Sequence, residues 1–117
     1  MNRFYFIINP ASRKGSVTTK EEIKTFFGDR NIPVKIAFWT PDKTVQFMVN
    51  QAAEKGFDTV VACGGDGTIM EVGKALISRK MKMGIIPLGS GNGIARHFGI
   101  PAKLQDALEV LLSLIHI

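Results

Sequence analysis

"VVACGGDGTIMEVGKAL", Val60 to Leu76, decides the fold. Its apolar, β-branched opening reads as a buried strand, and its second half carries apolar residues at helical spacing. Between the two, one aspartate stands among three glycines. A strand-to-helix turn is where phosphate sits in many nucleotide-binding proteins. A carboxylate repels phosphate, so Asp66 needs a task beside the phosphates: holding Mg²⁺ through water, or accepting the proton of an attacking hydroxyl. Thr68 followed by Glu71 predicts a capping box at the start of the helix.

The same strand, turn and helix succession repeats on either side. "RFYFII", Arg3 to Ile8, is aromatic and β-branched and stops at the turn dipeptide Asn9-Pro10. Thr18 with Glu21, or Thr19 with Glu22, predicts a capped first helix with Ile23, Phe26 and Phe27 on its apolar face, ending near Gly28. "PVKIAFWT" alternates as a second strand, and Thr40-Pro41 offers a cap and a first helical residue for a helix that Gly56 stops. "KMGIIPL" is a fourth strand, "GSGNG" a loop, "IARHF" a short helical turn, and Leu104 to Leu112 a last helix. Four such alternations with short connections predict an α/β fold, a mostly parallel, doubly wound sheet with helices on both faces. Ligands of such sheets lie outside the carboxyl ends of the strands, where "NPASRKG", "GGDGT" and "GSGNG" all emerge.

Length and charge bound the rest. A chain of 117 residues, 45% hydrophobic, fits one domain or the front part of something larger. A net charge of +5 favours anionic partners without choosing among them. Cys63 is the single cysteine, so no internal disulfide forms and a reducing, cytoplasmic setting fits. No apolar run reaches the length of a membrane span or a signal segment.

Neither standard phosphate fingerprint is present: GxxxxGK[ST] is absent, and "GSGNGIA" has Ile94 at the final glycine position of GxGxxG. The glycines still let main-chain N–H groups approach phosphate, and Ser12, Thr68, Ser90, Arg13, Lys14 and Arg96 supply hydroxyls and charge. Glu71 is most simply a capping residue, Cys63 and Trp39 are packing residues, and His97 lacks the accompanying nucleophile that would make it a base. The basic run "SRKMK" at Ser78 reads as a solvated helix end.

Taken in order, "NPASRKG" (9–15), "GGDGTIMEV" (64–72) and "PLGSGNGIARHFGIP" (87–101) resemble the diacylglycerol kinase catalytic domain family, which includes bacterial lipid kinases and the sphingosine kinases. GGDGT alone is shared with NAD kinases and phosphofructokinases; the Pro-x-Gly-Ser-Gly-Asn loop ending in Ala-Arg points to the lipid kinases. The resemblance implies ATP and Mg²⁺ as cofactors. It implies nucleotide contacts at Asn9, Pro10, Ala11, Ser12 and Arg13, at Thr40, at Gly65, Asp66, Gly67, Thr68 and Glu71, and at Gly89, Ser90, Gly91 and Asn92. It makes Asp66 the essential catalytic aspartate, as general base in sphingosine kinase-like members or within a magnesium and water network in bacterial ones. Gly93 departs from the many bacterial members that carry an aspartate there. The family's chains continue into a β-rich second domain that holds the lipid, whereas this sequence stops in the helix after Pro101, as a shortened chain or an interrupted coding sequence would.

The expectation is therefore an ATP-binding half, residues 1–117, of an enzyme that phosphorylates a diacylglycerol- or sphingoid-type hydroxyl. It would be cytoplasmic or peripheral at a membrane surface, with no nucleic-acid partner. The competing expectations are an NAD kinase- or sugar kinase-like enzyme sharing GGDGT, and a non-catalytic nucleotide-binding fragment.

Overall fold

The alternating runs close into a four-stranded sheet, seen in a computed structural model that describes residues 3–12 and 17–113. The elements are β1 (Phe4–Ile8), α1 (Val17–Gly28), β2 (Val34–Phe38), α2 (Val45–Glu54), β3 (Thr59–Gly64), α3 (Asp66–Leu76), β4 (Lys82–Pro87), α4 (Gly93–His97) and α5 (Leu104–Ser113). The strand order is β2-β1-β3-β4 and every neighbouring pair is parallel, with Phe6 opposite both Ile36 and Val61 and Ile8 opposite Cys63.

Successive side chains on a strand point to opposite faces, which builds two cores from one sheet. Phe4, Phe6 and Ile8 join Val61, Cys63 and Ile86 against Ile23, Phe26 and Phe27 of α1 and Ala107, Leu108 and Leu111 of α5. Tyr5, Ile7, Val60 and Ala62 face the other way, onto Val45, Met48, Val49 and Ala52 of α2 and Ile69, Val72 and Ala75 of α3. Strands covered on both faces have no polar side to show, which is why β1 and β3 read as unbroken apolar runs. Cys63 is wholly enclosed there, and burial pushes its thiol far above the usual range, so it is the packing residue its position suggests.

Helix ends differ from the sequence expectation in three places. Thr44, not Thr40, caps α2, its hydroxyl accepting from the Phe47 N–H at 3.0 Å. Thr40 instead hydrogen-bonds the Asp42 carboxylate, and this holds the Asp42 carboxyl below its ordinary range. Thr18 and Thr19 lie inside α1, which has already begun by Val17. Gly65 is the N-cap of α3, so Thr68 sits within the first turn and the Thr68–Glu71 capping box does not form; Glu71 pairs with Lys74 at 3.6 Å. Gly56 does end α2, at φ 81°, with its N–H on Ala53 O and the Phe57 N–H on Ala52 O.

The winding fixes where a site can be. From β1 the chain crosses by α1 to β2 on one side, and from β3 it crosses by α3 to β4 on the other, with α1 and α3 on opposite faces. The loops leaving β1 and β3 therefore part company and open a crevice at the carboxyl ends of the central strands. No helix among the described residues is long and apolar enough to cross a membrane.

Candidate functional site

That crevice is a cleft of about 580 Å³, within the size range of small-molecule sites. Its lining comes from three loops: Asn9, Ala11 and Ser12 after β1; Gly65, Asp66, Gly67 and Thr68 after β3; Gly89, Ser90, Gly91 and Asn92 after β4. Pro10 is an exposed turn residue at its margin, while Thr40 beyond β2 and Glu71 on the exposed side of α3 do not line it. Arg13 and Lys14 lie outside the described residues.

The floor is the start of α3. Its N-cap is a glycine with no side-chain hydrogen bond, so among the described residues the first-turn N–H groups have no side-chain partner, and the helix dipole adds positive potential there. The walls approach closely because they are glycine: a Cβ on Gly89 would stand 2.7 Å from Gly65 Cα. Gly67 and Gly91, by contrast, face space with no atom within 4 Å of an added Cβ. An uncapped helix start, bare main chain and the hydroxyls of Ser12, Thr68 and Ser90 suit an oxyanion such as a phosphate.

Three side chains tie the loops together. Asn9 Oδ1 accepts the Ala11 N–H at 2.9 Å and its Nδ2 donates to Thr68 Oγ1 at 3.0 Å, joining the first loop to α3. Asp66 reaches the other way: Oδ2 accepts the Gly93 N–H at 3.1 Å and Oδ1 accepts the Ile94 N–H at 3.0 Å. Asn92, in the left-handed region at φ 52°, turns the last loop back so that its Oδ1 accepts the Gly89 N–H at 3.0 Å. Asp66 is thus a peg for α4 as well as a carboxylate at the cleft, a bond spanning 27 residues that no local spacing rule could reveal. The glycine at position 93 suits the peg, since a Cβ there would come within 3.1 Å of Asp66 Oδ2.

Gly64, the first glycine of the GGDGT motif, has a packing role that the motif alone does not reveal. A Cβ on it would land 2.6 Å from Thr68 Oγ1 and 2.7 Å from Thr68 Cβ, so something must shift to admit it, and both residues are buried. Gly64→Ala should therefore lower stability by roughly 1–3 kcal/mol, as overpacked sites do. Equilibrium denaturation checks this, and an unchanged midpoint would mean that α3 is free to shift.

The model of the diacylglycerol kinase catalytic domain matches residues 3–116. A "probable lipid kinase YegS-like" protein of Klebsiella pneumoniae (strain 342) is 43% identical over 76 residues, 63% of this chain and 25% of that protein. A "probable lipid kinase YegS" of Salmonella arizonae is 35% identical over 96 residues, 79% of this chain and 32% of that protein. The chain thus spans about a quarter to a third of the length of the curated relatives it matches. Among solved structures, a diacylglycerol kinase from Bacillus anthracis str. Sterne superposes with a TM-score of 0.78 at 21% identity, covering 94% of this chain and 42% of that one, which speaks for the fold. With the family model running across nearly all of the sequence, the chain belongs to the diacylglycerol kinase catalytic domain family.

Proposed function

We propose that residues 1–117 form the ATP-binding domain of a lipid kinase, and that the full-length protein transfers the γ-phosphoryl group of ATP to the hydroxyl of a diacylglycerol- or sphingoid-type lipid. The observation that carries this is the meeting of three glycine-bearing loops over the uncapped start of α3. In phosphoryl transfer the protein's work is mostly positioning and charge stabilisation. Here the first-turn amides of α3 and the loop hydroxyls would hold the phosphates, and Asp66 would stand at their edge.

Magnesium fits only in a restricted way. Among the described residues no three His, Cys, Asp or Glu side chains converge as a metal site. Mg²⁺ commonly keeps several waters and binds through one or two carboxylates plus substrate phosphates, so Asp66 alone can serve it. When bound, the ion would neutralise phosphate charge. The enzyme would work in the cytoplasm, at the membrane surface that presents its acceptor.

The test is titration with Mg-ATP followed by backbone amide shifts. Shifts are expected at residues 9–12, 65–68 and 89–92. Gly67→Val should leave the fold in place, since nothing lies within 4 Å of the new Cβ, yet weaken binding at least about tenfold by filling the space where a phosphate would approach main chain. Shifts elsewhere, or indifference to this substitution, would refute the assignment.

A further inference from the structure

The Asn9 amide has only one orientation available, and that orientation reaches Thr68. A backbone N–H can only donate, so the atom facing Ala11 must be the Asn9 carbonyl oxygen. The amide nitrogen therefore faces Thr68, and it too can only donate, so the Thr68 hydroxyl must accept. The hydroxyl's own proton is left to turn elsewhere. Thr68 is 3% exposed, and among the described residues its oxygen makes that one hydrogen bond, as acceptor. It also lines the cleft. A buried hydroxyl with a committed lone pair and an uncommitted proton is a donor waiting for an acceptor, and leaving it without one is costly.

We propose that Asn9 is a positioning residue that acts through Thr68: by donating to the Thr68 oxygen it turns the Thr68 O–H towards the cleft, where the hydroxyl donates to an anionic oxygen of the bound phosphate chain. The relay strengthens its second bond, because a hydroxyl that accepts a hydrogen bond becomes a better donor. Gly64 keeps the assembly compact, since any side chain there would push into the Thr68 hydroxyl and within 3.0 Å of Ser12 Oγ. This inference rests on the cleft being the nucleotide site and assigns separate work to two of its residues.

A double-mutant cycle measured by titration of the protein with Mg-ATP, ADP and adenosine tests it. A hydrogen bond to a charged group contributes about 1.5–3 kcal/mol, so Thr68→Val should weaken ATP and ADP binding roughly 10- to 100-fold. Adenosine affinity should not change. Asn9→Ala should weaken ATP binding by a smaller factor, and adding it to Thr68→Val should cost nothing more. Thr68→Ser, which keeps the hydroxyl, should recover most of the affinity lost in Thr68→Val. Melting curves of each variant separate loss of binding from loss of fold. If Asn9→Ala weakened ATP binding equally in the Thr68→Val background, Asn9 would act by a route other than Thr68, on the ligand or through its bond to Ala11, and the relay would be wrong. Equal losses for adenosine and ATP would also overturn it. Wild-type protein that bound no ATP would instead overturn the proposed function on which the relay depends.

Discussion

Assayed with labelled ATP against diacylglycerol, a sphingoid base and other hydroxyl lipids, residues 1–117 are expected to give no lipid phosphorylation above background, while a chain extended to the length of its relatives does. Transfer needs the acceptor hydroxyl held in line with the γ-phosphorus, and positioning of that kind is worth about 7–11 kcal/mol of barrier. The cleft is built from three polar, glycine-bearing loops, which suits the phosphoryl donor, and among the described residues no large apolar side chain lines it for an acyl chain. Its open side also leaves water free to reach the phosphate, so residual turnover should appear as slow ATP hydrolysis. Lipid phosphorylation by the 117 residues at the rate of the longer chain would defeat this division of labour. It would direct attention to the apolar groove of about 420 Å³ along β4 and α5, bounded by Met83, Ile85, Phe98 and Val110, which shares no residue with the cleft.

The fold was readable because it is encoded locally and repeatedly. Apolar runs such as Tyr5 to Ile8 and Val60 to Cys63 need cover on both faces, and the helical spacing of Met48, Val49 and Ala52 or of Leu104, Ala107, Leu108 and Leu111 says where that cover comes from. Winding rules then place the three glycine loops at one edge. Helix starts were less legible, because several Ser or Thr residues near a boundary can each satisfy the cap pattern. Thr40 and Thr44 both precede α2, and only the backbone path shows that Thr44 has the extended conformation a cap needs, φ −78° and ψ 156°. The site was legible as a set of loops and not as a set of bonds. Asn9 with Thr68, and Asp66 with Gly93 and Ile94, are contacts between segments 59, 27 and 28 residues apart, which depend on how the strands are registered.

Asp66→Asn in the full-length enzyme is expected to lower turnover by about 10²–10⁴, the usual effect of removing a general base, with only a modest loss of stability. The structure separates those two effects. Asn has one acceptor oxygen where the carboxylate has two, so one of the N–H groups of Gly93 and Ile94 loses its partner and faces an NH₂ group instead. Gly93 is exposed and Ile94 is half-buried, so water can take up the freed donor and the cost should be near the lower end for a lost hydrogen bond, about 1 kcal/mol. A tenfold change in rate corresponds to about 1.4 kcal/mol, so a structural peg alone would account for a loss of tenfold or less. A larger loss with an unchanged dependence on magnesium identifies Asp66 as the proton acceptor. A comparable loss with a much steeper dependence on magnesium identifies it as the residue that organises the ion. Turnover reduced less than tenfold, alongside a melting shift matching about 1 kcal/mol, would leave Asp66 with the single task of holding α4 against α3, and its role in the chemistry would have to be given up.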